Sequence, residues 1–145
     1  MHTKDTEELL SEIRDKQNIK QFLADNQAEF RRPLAEYLTE LLKEKRLNKT
    51  EVVRNSGINP NYAYHIFSGE STNPSRPKLL ALAIAMRLNY DEIQYLLKYA
   101  GLSPLYPRNP WDSIIIAAIE QKLTVWETDN LLNQMGENVY LGGRF

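Results

Sequence analysis

The chain of 145 residues contains no cysteine and only two histidines, His2 and His65. Without cysteine it cannot form disulfides, thiolate zinc sites or iron–sulfur clusters, and it has no cysteine nucleophile. Neither histidine stands in a metal-binding spacing and no glycine-rich phosphate loop occurs, so we expect neither an enzyme nor a cofactor. The longest apolar runs, residues 79–86 and 114–119, fall far short of the roughly 20 residues that cross a bilayer. Because the N-terminus also lacks a signal-peptide core, the sequence predicts a cytoplasmic protein without membrane contact.

An excess of either charge is also missing, since 18 Lys and Arg stand against 19 Asp and Glu. Residues 31–80 are an exception, with nine basic and five acidic side chains between two acidic flanks. Such a segment permits phosphate binding, although its charges could equally serve only to solvate a surface. The nine basic residues are Arg31, Arg32, Lys43, Lys45, Arg46, Lys49, Arg54, Arg76 and Lys78.

Apolar residues recur at helical spacing along almost the whole chain, and no long stretch alternates with period two. The fold class is therefore predicted to be all-α. We divide the chain into an N-terminal helical extension (1–30), a central domain (31–101) and a C-terminal helical hairpin (102–145). The predicted helix N-caps are Asn18, Asn48, Asn59, Ser75, Asn89, Asn109 and Thr124. The glycines predicted to follow helix ends are Gly57, Gly69, Gly101 and Gly136.

A shift of 35 residues superimposes residues 79–101 on residues 114–136, which predicts two copies of one helical hairpin. The second copy carries Trp111 and Trp126, which either pack between the hairpins or contact a partner. Its acidic residues Glu127 and Asp129 are expected in a first helical turn, where they offset the helix dipole. Residues 141–145 are expected to be a frayed terminus.

Residues 47–69 contain a polar cap at Asn48, the sequence Ser-Gly-Ile at 56–58, and a second short helix that ends before Gly69. Two short helices joined by a glycine-containing turn are typical of a helix-turn-helix. This segment, with residues 34–46 before it and 74–101 after it, resembles the lambda-repressor-like, or XRE-type, bacterial transcriptional regulators. The resemblance implies a five-helix domain that binds DNA, with the other segments added at either end.

The resemblance also implies the site. The third helix of that domain would enter the major groove, and the helix before it would approach the phosphates. The implied recognition helix consists of Asn59, Pro60, Asn61, Tyr62, Ala63, Tyr64, His65, Ile66 and Phe67. The implied base contacts are Asn61, Tyr64 and His65. The implied phosphate contacts are Arg46, Asn48, Lys49, Ser68, Arg76 and Lys78.

Two functions follow as hypotheses. The first is a sequence-specific transcriptional regulator that binds double-stranded DNA as a homodimer, with a dimer contact from the C-terminal hairpin or the N-terminal helices. The second is a protein-interaction adaptor that keeps the helix-turn-helix fold without strong DNA binding. Its motivation is the absence of Lys and Arg from the recognition helix, together with aromatic side chains there and on the hairpin.

Overall fold

The computed structural model describes residues 4–15, 18–26 and 32–143, and every regular element in those ranges is an α-helix. This confirms the all-α prediction. The chain divides into two compact units, Met1–Arg32 and Pro33–Phe145. The predicted segments 31–101 and 102–145 therefore share the second unit, except that residues 31 and 32 belong to the first. Arg31, one of the nine basic residues, lies outside the described ranges.

The first unit contains two short helices, α1 (Thr6–Asp15) and α2 (Ile19–Asp25). Asn18 caps α2 as predicted, because its Oδ1 accepts the Lys20 N–H at 3.0 Å. Phe22 is the buried apolar residue of α2. Beside it, Asn26 is buried and donates to Glu12 at 2.7 Å. A unit with so little apolar burial depends on such polar contacts to hold its helices together.

The second unit contains α3 (Leu34–Glu44), α4 (Lys49–Ser56), α5 (Pro60–Ser68), α6 (Arg76–Ala85), α7 (Tyr90–Tyr99), α8 (Pro110–Glu120) and α9 (Val125–Gln134). Every predicted N-cap of this unit is confirmed, because each side chain accepts a backbone N–H from the first turn of its helix. Gly57 and Gly69 follow α4 and α5 with φ of 72° and 91°, a left-handed conformation that glycine adopts without steric cost.

Helix α6 lies at the centre of the second unit. Residues 79–84 are all buried, so this helix is apolar on every side, as a helix surrounded by others must be. It packs against α4, α7 and α9, while α5 packs on α3 and α4, and α8 packs on α7 and α9. The added hairpin α8–α9 therefore shares one core with the helices that precede it.

The two hairpins repeat each other in detail at their turns. Leu88 N–H donates to the Ala83 carbonyl at 3.2 Å, and 35 residues later Leu123 N–H donates to the Ala118 carbonyl at 2.9 Å. The preceding residues, Arg87 and Lys122, have φ of 61° and 57°. The same turn precedes α4, where Arg46 has φ of 54° and Leu47 N–H donates to the Leu42 carbonyl at 2.8 Å. It also follows α7 and α9, where Gly101 and Gly136 have positive φ. The predicted repeat is confirmed, and its turn also occurs outside the two hairpin connections.

Residues 141–143 are not frayed, in contrast to the prediction for residues 141–145, of which 144 and 145 lie outside the described ranges. Leu141 is fully buried. Its N–H and that of Gly142 donate to the Asp129 carboxylate at 2.6 and 2.8 Å. Asp129 is also fully buried and lies beyond the first turn of α9, so it anchors this tail instead of offsetting the helix dipole as predicted, whereas Glu127 lies in the first turn as predicted. Neither the order of the tail nor the role of Asp129 could be predicted, because its partners Leu141 and Gly142 lie in a segment without helical periodicity.

Gly142 brings the tail against the turn between α4 and α5. A Cβ atom at this position would lie 3.3 Å from the Ser56 carbonyl oxygen and 3.4 Å from Gly57 Cα. Only a residue without a side chain permits this approach without a shift of one segment. The tail thus supports the turn of the helix-turn-helix from behind.

Within the described ranges, no helix has the length and apolar character that a membrane crossing requires.

Candidate nucleic-acid interface

The start of α4 combines exposed amides with positive charge. Asn48 Oδ1 accepts the Glu51 N–H at 3.0 Å and thereby fixes the first turn. Lys49 is the first residue of the helix and is exposed, as is Arg46 just before the cap. The Lys49 ammonium lies 5.6 Å from the centroid of the Phe67 ring on α5, which links the two helices. A helix N-terminus with two adjacent cations suits a phosphate group.

The turn between α4 and α5 is fixed by buried contacts. Ser56 is fully buried and its hydroxyl donates to the Val53 carbonyl at 2.6 Å. Gly57 follows in the left-handed conformation, and Ile58 is buried in the core. Asn59 then caps α5 through a 3.3 Å hydrogen bond from the Tyr62 N–H. The orientation of α5 relative to α4 is therefore set by the core.

Helix α5 has one buried side and one exposed side. The buried side contains Ala63, Ile66 and Phe67, with Tyr62 half-buried at its edge. The exposed side, which we call the reading face, consists of Asn61, Tyr64, His65 and Ser68. This spacing of three and four residues places the four side chains on one stripe of the helix.

The reading face is partly held in place by neighbouring side chains. The Tyr64 hydroxyl donates to Thr50 Oγ1 at 3.4 Å, and 38% of Tyr64 remains exposed. His65 Nε2 lies 3.3 Å from a carboxylate oxygen of Glu70. Ser68 Oγ donates to the His65 carbonyl at 3.1 Å. Asn61 is also exposed, and within the described ranges its side-chain amide forms no hydrogen bond.

Two of the predicted cations are used inside the protein. Lys45 forms a 2.7 Å ion pair with Glu92 on α7. Burial alone would raise the pKa of Glu92, but the hydrogen bond from the Asn89 N–H and the Lys45 ammonium outweigh it and lower this pKa below its usual value. The basic segment therefore presents fewer cations to a ligand than the sequence count suggests.

Arg76 is the second basic residue that pairs with an acid of the protein itself. Its guanidinium pairs with both carboxylate oxygens of Asp112 at 2.9 Å and also donates to the carbonyls of Ser103 and Pro104. Asp112 is buried, so this pair joins α6 to the start of α8. Four internal hydrogen bonds leave Arg76 unsuited to a phosphate contact. Lys78, two residues further along α6, is half-buried beside Gly143.

Sequence reasoning missed Asp112 and the tail around Leu141 and Gly142. A local signal existed for Arg76, because a cation in a first helical turn opposes the helix dipole and indicates a specific partner. No local signal identifies Asp112 as that partner. No group of His, Asp or Glu side chains in the described ranges is arranged to hold a metal ion.

No protein-family model, no curated protein and no solved structure matches this chain. Its function has to be inferred from its own residues.

Proposed function

We propose that this protein is a cytoplasmic, sequence-specific DNA-binding regulator of the lambda-repressor-like, XRE type, with α5 as the recognition helix. The observation that supports this most directly is the reading face of α5, exposed beside the capped and cationic start of α4. An α-helix with its side chains is about 10–12 Å across, and the major groove of B-DNA is about 12 Å wide. A helix presented in this way can therefore enter the groove.

The chemistry of the reading face suits base edges. Asn61 offers a donor and an acceptor, the pair that matches adenine N7 and N6. His65 can bond a guanine edge after leaving Glu70, and Tyr64 can contact a thymine methyl group. The phosphate contacts in this proposal are Arg46, Asn48, Lys49, Ser68 and Lys78, and Arg76 is left out because Asp112 occupies it.

We propose that the regulator acts as a homodimer, with the contact supplied by the α8–α9 hairpin or by the first unit. Two recognition helices would then bind half-sites about one helical turn apart. This arrangement keeps the reading faces and the cations around Lys49 directed at DNA.

Selection of binding sites from random duplexes, followed by titration of the selected duplex at several salt concentrations, tests the proposal. Three phosphate-binding cations per chain predict a slope of log K against log salt of about −3 per bound chain. Lys49→Ala should weaken binding to all duplexes and reduce that slope by about 1. Asn61→Ala should instead relax the preference at one base position, at a cost of about 1–3 kcal/mol.

Lys98→Ala, which removes an exposed cation at the end of α7 outside the proposed contacts, is the matched control for Lys49→Ala and should bind like the unmodified protein. Failure to select any duplex near physiological salt would contradict DNA binding. The adaptor hypothesis has lost part of its basis, because Phe67 is buried and Tyr62 and Trp111 are half-buried. Recovery of a protein partner that depends on Tyr64, without DNA, would restore it.

A further inference from the structure

A cavity of about 430 Å³ lies where three helices of the second unit meet, at the end of α4 that is opposite Lys49. Its volume is within the range of small-molecule sites, about 300–1,000 Å³. Arg54 and Asn55 line it from the end of α4, Ile84 and Arg87 from the end of α6 and the turn after it, and Thr124 and Trp126 from the start of α9. The added hairpin therefore creates this cavity together with the helix-turn-helix.

The lining of this cavity is positively charged. It contains two guanidinium groups, those of Arg54 and Arg87, and no carboxylate. Arg54 forms no ion pair or hydrogen bond through its side chain within residues 32–143. Arg87 donates one N–H to the Lys122 carbonyl at 3.1 Å, which holds its stem while other guanidinium donors remain. The Glu127 carboxylate caps α9 by accepting the Thr124 N–H at 2.9 Å. This hydrogen bond first, and the charge of Arg87 after it, lower the pKa of Glu127.

The cavity also has an exposed aromatic wall. Trp126 is 55% exposed, although it belongs to a well-packed helix. The other tryptophan, Trp111, is half-buried and donates its indole N–H to the Val139 carbonyl at 3.0 Å. Of the two alternatives for these indoles, packing between the hairpins therefore does not describe Trp126. An exposed indole beside two guanidiniums offers a ring-stacking surface and an anion site together.

A second cavity of about 300 Å³ adjoins the first and shares Ile84 and Arg87 with it. Its lining holds Arg87, Lys122 and Glu120, so one acid offsets one of its two cations, whereas no acid lines the first cavity. A charged phosphate group is therefore best accommodated in the first cavity, between Arg54 and Arg87.

We propose that the α4–α6–α9 cavity binds a small organic phosphate with a planar ring, of the mononucleotide class. The guanidiniums of Arg54 and Arg87 bind the phosphate, because their planar donor pairs match phosphate oxygens. Trp126 stacks on the ring. This site is separate from the reading face, so the proposal does not depend on DNA binding.

Tryptophan fluorescence during titration of the full chain with AMP tests the proposal. AMP should quench Trp126 saturably, with half-saturation below about 1 mM. Adenosine, which lacks the phosphate, and inorganic phosphate, which lacks the ring, should each need at least about tenfold higher concentrations. Trp111→Phe should keep the AMP-dependent change and Trp126→Phe should lose it. Equal responses to AMP and adenosine, or no saturation with AMP, would overturn the proposal.

Arginine variants locate the phosphate. Arg54→Ala and Arg87→Lys should each weaken AMP binding about tenfold or more, since each removes a paired guanidinium donor set. Arg108→Ala, at an exposed position that lines neither cavity, should bind AMP normally. Circular dichroism melting confirms that each variant is folded. Tighter binding of a short oligothymidylate that displaces AMP would assign the cavity to a nucleic-acid strand and overturn the proposal.

Discussion

At the scale of single residues, Arg76 illustrates what a sequence can indicate and what it cannot. Its position in the first turn of α6 opposes the helix dipole, which indicates that it has a specific partner. The resemblance suggested a DNA phosphate, whereas the structure provides Asp112, 36 residues further along the chain. That pairing depends on how α8 folds back onto α6, which no local pattern encodes.

The Arg76–Asp112 pair gives a direct prediction. Arg76→Gln should lower the free energy of unfolding by about 3 kcal/mol, because it leaves the buried Asp112 carboxylate without its counter-charge. Urea denaturation measures this change. Lys78→Gln, on the same helix but without an ion pair in the described ranges, should lower it by less than about 0.5 kcal/mol. Unchanged stability of Arg76→Gln would contradict this assignment.

At the scale of elements, the helix starts were the most predictable feature of the chain. Asn89 and Thr124 cap equivalent helices. In both cases a glutamate three residues later accepts the backbone N–H of the cap residue. These signals are local, since one side chain reaches one neighbouring amide. The turn at Arg46 lies 41 residues before the turn at Arg87, so the 35-residue shift does not align the two. Their local sequences nevertheless agree, because Arg-Leu-Asn is followed by a glutamate three residues after the asparagine at both places.

The capping box at Asn89 predicts a pH dependence. The pKa of Glu92 is lower in the folded protein, so its ionised form stabilises the fold at neutral pH and this stabilisation is lost as the pH falls through that pKa, below 4.5. Glu92→Gln should therefore be less stable than the unmodified protein at pH 7 in urea denaturation. The difference should shrink as the pH falls below 4.5 and through the lowered pKa of Glu92, because the glutamate then becomes neutral like the glutamine. Glu120→Gln, an exposed control, should show no such convergence.

At the scale of the whole molecule, the added hairpin and its tail belong to the same core as the helix-turn-helix. The exposed side of α5 could be predicted, because the apolar spacing of Ala63, Ile66 and Phe67 defines the opposite side. The number of available cations could not, because Lys45 pairs with an acid on another helix. The contact of Gly142 with the turn at Gly57 could not be predicted either, because a single glycine has no apolar side chain whose spacing would indicate its neighbours.

The tail provides the third prediction. Asp129→Asn should lower the free energy of unfolding by about 2 kcal/mol, because Leu141 and Gly142 donate to different carboxylate oxygens and in the amide one of these two N–H groups faces an NH2 donor. Hydrogen exchange at Gly57 and Ile58 should also become faster, since the tail packs against that turn. Asn133→Ala removes only the exposed hydrogen bond from the Tyr140 hydroxyl and should change neither measurement appreciably. Unaltered exchange at Gly57 in Asp129→Asn would contradict the supporting role of the tail.

The contact of Gly142 with the turn at Gly57 also has a consequence for biosynthesis. A ribosome translates the recognition helix, residues 60–68, before it translates residues 141 and 142, so this helix can begin to fold while its final support is still absent. The nascent chain must then keep that helix docked chiefly through its contacts with α3 and α4. A stalled or prematurely terminated product that stops after α7 would therefore carry the whole helix-turn-helix sequence with its turn unsecured.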